Sequence, residues 1–181
     1  MRDLRHARHP PLVSASVFLH GLPPAERYVL RAGSAATSAA ARALGFVLPA
    51  IACRAAVEGA RAALWLGPDE WLLIGPAPPV PGFAAPLREA LAGLPHSLVD
   101  VSHRQSALAV RGTQAEALLS CGCPLDLCEQ AFPVGSCTRT MLAKAEIVLW
   151  RTETGGFRIE VWRSFVGYVA CFLAEAARGL I

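Results

Sequence analysis

Lysine is almost missing from this chain of 181 residues: Lys144 is the only one, and the other strong bases are all arginine. Charge is scarce altogether, at 17% of residues against about a quarter in an average soluble domain. The net charge is +3, and the arginines are scattered, with no aromatic residues interleaved among them. That excludes the basic, aromatic-lined groove of a nucleic-acid binder. Long hydrophobic runs are absent too. None reaches the ~18–20 residues needed to span a bilayer, and the longest charge-free stretch, 71–87, is broken by Pro76, Pro78, Pro79, Pro81 and Pro86. The N-terminus, MRDLRHARHPP, is basic but lacks the apolar core of a signal peptide. Residues 1–12 are therefore expected to form a flexible arm, and the protein is expected in the cytoplasm. Six cysteines occur, yet no C-x-x-C pair; Cys121-x-Cys123 followed by Cys128 is not a zinc spacing, and no histidine stands close enough to complete one. No metal site is expected, and the thiols read as small core residues rather than disulfides. A G-x-G-x-x-G following a strand is missing as well, which excludes a dinucleotide site and leaves Gly155-Gly156 as a hairpin turn.

What the chain does have is apolar surface. It is 54% hydrophobic with a mean hydropathy of +0.40. Two accounts fit: a small, Ala-rich, tightly packed domain, or a domain with more apolar surface than its own core can hide, which points to a partner.

The organising stretch is SLVDVSHRQSALAVRGTQAEALLSCGCPLD, residues 97–126. Two apolar-rich runs, 97–102 and 105–111, are parted by Ser102, His103 and Arg104 and read as a hairpin. Gly112 then makes a tight turn, with positive φ expected. Thr113 reads as a helix N-cap, with Glu116 at capping-box spacing, and the helix stops before Gly122 and Pro124. Val101, Leu108, Val110, Leu118 and Leu119 are its expected buried side.

The rest of the chain repeats this order. Residues 13–19 and 27–32 read as strands ending at Gly33, which is expected to behave like Gly112. Ser34 reads as the cap of a helix with Ala36, Ala40, Leu44 and Val47 near helical spacing. Strands follow at 52–57, 61–66 and 71–75, the last two around the turn Gly67-Pro68-Asp69-Glu70, and then a helix over 81–94. In the second half, Pro133 and Cys137 answer Pro49 and Cys53, Trp150 answers Trp65, and Phe157 answers Trp71. A last helix, 164–178, carries Phe165, Tyr168, Val169, Phe172, Leu173 and Ala176 at helical spacing, with Arg163 and Ser164 as its cap. Two strands, helix, three strands, helix, occurring twice, is an internal duplication. The fold class is α+β, duplicated β2-α-β3-α units with mainly antiparallel sheets, and the expected organisation is a single domain over 13–181 made of two repeats, about 13–95 and 97–179.

Val99-Asp100-Val101-Ser102-His103 followed by SALAVRGTQAEALLS resembles the opening of the folate-binding glycine-cleavage aminomethyltransferases, the T-protein family, whose first domain is likewise a duplicated unit. Across residues 28–179, the segments ALWLGPDEWLLIGP, CPLDLCEQAFPVGSCTRT and FRIEVWRSFVGYVACFLAEAARG resemble the gamma-subunit family of heterotetrameric sarcosine oxidases. That resemblance implies membership in a complex that oxidises sarcosine to glycine, releasing hydrogen peroxide and, with tetrahydrofolate, a methylene-folate product. It implies an alpha subunit carrying NAD and the folate-binding region, a beta subunit carrying FAD and FMN, and a delta subunit holding zinc. The gamma chain then has no cofactor of its own and packs chiefly against alpha, as a structural and assembly subunit. The alternative is a stand-alone tetrahydrofolate-binding, aminomethyltransferase-like protein.

The aminomethyltransferase pattern carries paired aspartates near the folate amine. Here Ile147 and Val148 stand near where those acids would be, and Glu146 is the one acid close by. Without the carboxylate, a developing iminium cation loses the group that orients and stabilises it. The weak folate candidates are Asp100, His103, Asp126 and Glu146. Each also has a plain reading: Asp100 as an acceptor of backbone hydrogen bonds at a strand end, His103 as a polar turn residue, Asp126 as a turn or cap. Trp65 and Trp71 could stack a pterin or pack a hairpin. No catalytic residue is expected.

Overall fold

The computed structural model describes residues 12–13, 16–76 and 84–180. The expected N-terminal arm, apart from Leu12, lies outside them, as do the first residues of the helix expected over 81–94. The first half contributes β1 (Leu12–Val13), β2 (Phe18–Gly21), β3 (Ala25–Ala32), α1 (Ser34–Leu44), β4 (Ala55–Glu58), β5 (Arg61–Gly67), β6 (Glu70–Pro76) and α2 (Ala84–Leu91). The second contributes β7 (His96–Asp100), β8 (Gln105–Arg111), α3 (Ala115–Ser120), β9 (Cys137–Leu142), β10 (Ala145–Glu153), β11 (Gly156–Trp162) and α4 (Val166–Arg178). From β2 onward the order two strands, helix, three strands, helix occurs twice.

The strands form two sheets, β1-β2-β8-β11-β10-β9 and β4-β5-β6-β3-β7. From the edge contributed by the other half, each runs first strand, second, fifth, fourth, third, so the duplication extends to topology. The registers of β3 with β6 and β7, of β4 with β5, of β5 with β6, of β2 with β8 and of β10 with β11 are all antiparallel. The two runs in 97–111 are not a hairpin. β7 joins the sheet of β3, with Tyr28 opposite Asp100 and Ala32 opposite His96, whereas β8 joins the sheet of β2, with Phe18 opposite Arg111. The link between them is a helical turn, Arg104 and Gln105 N–H both donating to Val101 O at 3.0 and 3.1 Å. This turn lacks the glycine or asparagine that a tight hairpin needs.

The chain divides into two compact units, and these cut across the sequence halves. One comprises residues up to 22 with 106–134 and 139 onward; the other comprises 23–105 with 135–138. In the first, β8, β10 and β11 and the inner faces of α3 and α4 enclose Leu108, Val110, Leu118, Leu149, Ile159 and Leu173. In the second, α1 and α2 bury Ala36, Ala40, Leu44, Leu87 and Leu91 against Leu30 and Leu73. Each of the larger side chains contributes about 1.5–3 kcal/mol through burial. The expected buried side of the organising stretch is buried: Val101, Leu108, Val110, Leu118 and Leu119.

Several helix ends differ from the sequence signals. α1 begins after Gly33, with no side-chain cap from Ser34, and stops at Gly45, whose φ of +81° and bond to Ala41 O at 3.0 Å close a left-handed cap. Val47 is therefore outside the helix and exposed. α3 follows Gln114, not Thr113, and Glu116 makes no capping box because an arginine has taken it (below). α4 follows Phe165 without a cap from Arg163 or Ser164. Residues 13–19 hold parts of two strands rather than one, β1 and β2, paired Val13 with Phe18.

The two turn glycines also differ. Gly112 has φ +129°, and a Cβ there would stand 2.2 Å from Ser16 O and 2.9 Å from Val17 Cα. Gly33 has φ −76° and nothing within 4 Å of its would-be Cβ. Only Gly112 needs to be glycine.

Candidate functional site

Asp100 and His103 lie at the end of β7 and in the turn after it. Asp100 Oδ1 accepts the Ser102 N–H at 2.9 Å, and Tyr28, its neighbour across the strand pair, donates its hydroxyl to Oδ2 at 3.4 Å. Ser102 Oγ accepts the Arg27 N–H at 2.9 Å, and Val101 N–H donates to Arg27 O at 2.9 Å. The Asp-x-Ser element thus fastens the end of β7 onto β3, capping its own turn as aspartate does. Burial pushes the Asp100 carboxyl up, but the Ser102 and Tyr28 hydrogen bonds and the charge of His103 outweigh it and hold Asp100 below the usual range. Tyr28 moves the other way: burial, then the negative charges of Asp100 and Glu26, raise it above the ordinary phenol value. The Arg88 guanidinium sits 5.7 Å above the Tyr28 ring. His103 itself is exposed.

Asp126 is an exposed turn residue whose Oδ1 accepts the Cys128 N–H at 3.0 Å. That hydrogen bond holds its carboxyl below the usual range. Glu146 is exposed on β10, beside Ile147 and Val148, both buried. Asp100 and His103 therefore stand together in one unit, while Asp126 and Glu146 belong to the other and are linked by no hydrogen bond among the described residues. Neither aspartate is a free base: one oxygen of each accepts a backbone N–H of its own turn, and the second oxygen of Asp100 accepts the Tyr28 hydroxyl. Trp71 is buried opposite Trp65 across the β5–β6 hairpin, with its indole N–H on Pro49 O at 2.8 Å. Its pterin-stacking alternative does not fit a ring in the core.

Sequence reasoning missed the most demanding polar group. Arg151 is fully buried on β10, its guanidinium 4.7 Å from the Phe157 ring. It pairs with Glu116 at 2.6 Å and donates to Leu127 O, tying α3 and the following loop to the sheet. A charge without water is tolerable only when paired. The signal was in the sequence as an arginine inside an apolar strand, IVLWRTE, with an acid in the helix of the same repeat. A second such group is Glu160, buried and paired with Arg158 at 2.6 Å. Cys137 is buried too; desolvation pushes its thiol up to about 12, and its Sγ points to Trp65 O at 3.7 Å. All six cysteines are free. Among the described residues no three His, Cys, Asp or Glu side chains come together as a metal site, and no helix is long and apolar enough to cross a membrane.

Comparison with known proteins bears on this arrangement. Residues 31–179 match the family described as sarcosine oxidase, gamma subunit. The chain is 43% identical over 122 residues to sarcosine oxidase subunit gamma of Arthrobacter sp, an overlap of 66% of this chain and 59% of that protein. It is 38% identical over 146 residues to the subunit gamma of Corynebacterium sp. (strain P-1), covering 80% of this chain and 70% of that one. Among solved structures it is similar to a chain of the heterotetrameric sarcosine oxidase from Corynebacterium sp. U-96 in complex with pyrrole 2-carboxylate, with a TM-score of 0.83 at 34% identity over 88% of this chain and 83% of the other. It also resembles, in fold alone, the glycine cleavage system aminomethyltransferase T from Bartonella henselae, with a TM-score of 0.66 at 15% identity over 88% of this chain and 45% of that one. A match running through nearly all of the described elements places the chain in the sarcosine oxidase gamma-subunit family.

Proposed function

We propose that this chain is a non-catalytic structural and assembly subunit of a heterotetrameric sarcosine oxidase, packed chiefly against the alpha subunit, in a complex that demethylates sarcosine to glycine with hydrogen peroxide and methylene-tetrahydrofolate as products. In this reading FAD, FMN, NAD, zinc and tetrahydrofolate belong to the alpha, beta and delta subunits, and the chain works in the cytoplasm as a single domain of two repeats. The observation that carries it is the state of the acids. On a fold shared with an aminomethyltransferase, Asp100 and Asp126 cap their own turns, and buried Ile147 and Val148 stand near where the sequence pattern leads one to look for the paired carboxylates. An acid with an oxygen already accepting a backbone N–H is a poor general base, because releasing it would undo the turn it holds.

The test is to tag the chain in its native cell and identify what co-purifies. The expected result is stoichiometric recovery of the other oxidase subunits with sarcosine-dependent peroxide release, while the chain purified alone is colourless and inert. Flavin absorption or turnover by the chain alone would overturn the proposal in favour of the stand-alone one-carbon protein.

A further inference from the structure

The outer face of α4 begins in the wrong chemistry for a solvated helix. A helix packed on a sheet is expected to turn polar residues to water. α4 buries Val169, Ala170, Leu173 and Ala177; its other side should read polar, and it does so only at the end, where Glu175 and Arg178 pair at 2.8 Å. Over the first turns that side reads Phe165, Tyr168, Cys171, and all three are exposed. Trp162, at the end of β11, adjoins them: Phe165 N–H donates to Trp162 O at 2.8 Å. The three aromatic residues are 43% (Trp162), 41% (Phe165) and 39% (Tyr168) exposed. The sequence placed Phe165 and Tyr168 on the same apolar stripe as Val169 and Leu173. The structure splits that stripe, and the aromatic half faces outward.

Two cations border the patch. Arg163 and Ser164 follow Trp162 directly and are exposed. Lys144, the only lysine of the chain, sits in the β9–β10 turn, where its backbone N–H donates to the Tyr168 hydroxyl at 3.3 Å. Two other surface arginines are neutralised by carboxylates, Arg31 by Asp69 at 3.0 Å and Arg111 by Glu153 at 2.8 Å. Neither Lys144 nor Arg163 has an ion-pair partner among the described residues. Clustered exposed aromatics mark interaction sites. Trp, Tyr and Phe are the enriched anchors of protein interfaces, and a charged rim selects a partner of opposite sign.

We infer that Trp162, Phe165 and Tyr168, rimmed by Lys144 and Arg163, form the surface through which this chain docks on another subunit of the oxidase, at an apolar patch bordered by carboxylates. The inference rests on the assembly reading above and names the face that reading leaves open.

The experiment uses the co-expressed complex, with the tag on this chain. One variant carries Phe165→Ser and Tyr168→Ser, and a second carries Lys144→Glu and Arg163→Glu. Circular dichroism melting of each variant checks the fold, and the charge variant, confined to exposed side chains, keeps the test open if the aromatic one fails to fold. The wild type is expected to recover the other subunits. The aromatic variant is expected to lose at least tenfold in recovery. The charge variant is expected to associate more slowly, and wild-type association to slow as salt is raised. Recovery of the full complex by both folded variants would overturn this face while leaving the assembly reading intact. Failure of the wild type to recover any subunit would overturn both. Self-association of the isolated chain that the aromatic variant abolishes, with the complex unaffected, would assign the face to a second copy and overturn the inference.

Discussion

At the scale of single residues, repeat-equivalent positions have diverged in what they must do. Gly112 is pressed against the backbone of Ser16 at positive φ, and Gly33 is in open space at negative φ. Gly112→Ala is expected to cost about 2–4 kcal/mol, combining left-handed strain with a clash that only backbone movement relieves. Gly33→Ala is expected to change stability by less than about 0.5 kcal/mol. Urea denaturation of the two variants checks the contrast, and equal costs would mean that the turns are alike after all. Asp100 makes a second residue-scale prediction. Its folded carboxyl is held below the ordinary aspartate range by the Ser102 and Tyr28 hydrogen bonds, so the native state binds that proton more weakly than the unfolded chain. Its contribution to stability is therefore full above the unfolded pKa and is lost as pH falls through the folded one. The stability gap between wild type and Asp100→Asn should be widest near neutral pH and should narrow below about pH 4. A gap that widens on acidification would place the charge in a repulsive, not a hydrogen-bonded, setting.

At the scale of elements, most strands and helices were legible, because apolar spacing reports which face of an element is buried. The edge along which a strand finds its partner was not. Alternation in 97–102 and 105–111 fits a hairpin and an exchange between sheets equally well, since pairing with β8 or with β3 leaves the same side chains on the same face. Helix starts were misplaced for a related reason. Glu116 has capping-box spacing, but the fully buried Arg151 of β10 claims its side chain as an ion-pair partner, and tertiary demand overrides local preference. Of the site residues, the spacing Asp100-x-Ser102 was enough to suggest a backbone-capping turn, while the Tyr28 partner came only with the β3–β7 register. The exchange of strands predicts how fragments behave. A fragment of residues 23–105 holds all of β4, β5, β6, β3 and β7, a complete sheet. One of residues 13–95 has β2 without β8 and β3 without β7. The first is expected to show more β structure by circular dichroism and a steeper urea transition than the second. Equal or reversed behaviour would contradict the pairing.

At the scale of the whole molecule, the sequence left two explanations for its apolar excess, a dense core or an interface; the structure shows filled cores and, beside them, an exposed aromatic patch. The cores are filled by Leu, Ile and Ala from two sheets and four helices, and the aromatic start of α4 remains outside them. On the proposed reading, the fold of a folate enzyme persists here while its acids serve as turn caps and its outer face serves assembly. That claim is tested most directly by one scanning-fluorimetry experiment on the isolated chain, with Trp65, Trp71, Trp150 and Trp162 as reporters, titrated separately with tetrahydrofolate and with the alpha subunit. A ligand raises stability by RT ln(1 + [L]/Kd), a term that vanishes when Kd far exceeds the dose. The account predicts little shift in Tm with tetrahydrofolate and a large one with alpha, as expected for a permanent interface on the order of 2,000 Å² or more. A large, saturable shift with tetrahydrofolate alone, lost in Asp100→Asn or Glu146→Gln, would contradict it and make the chain a folate site in its own right.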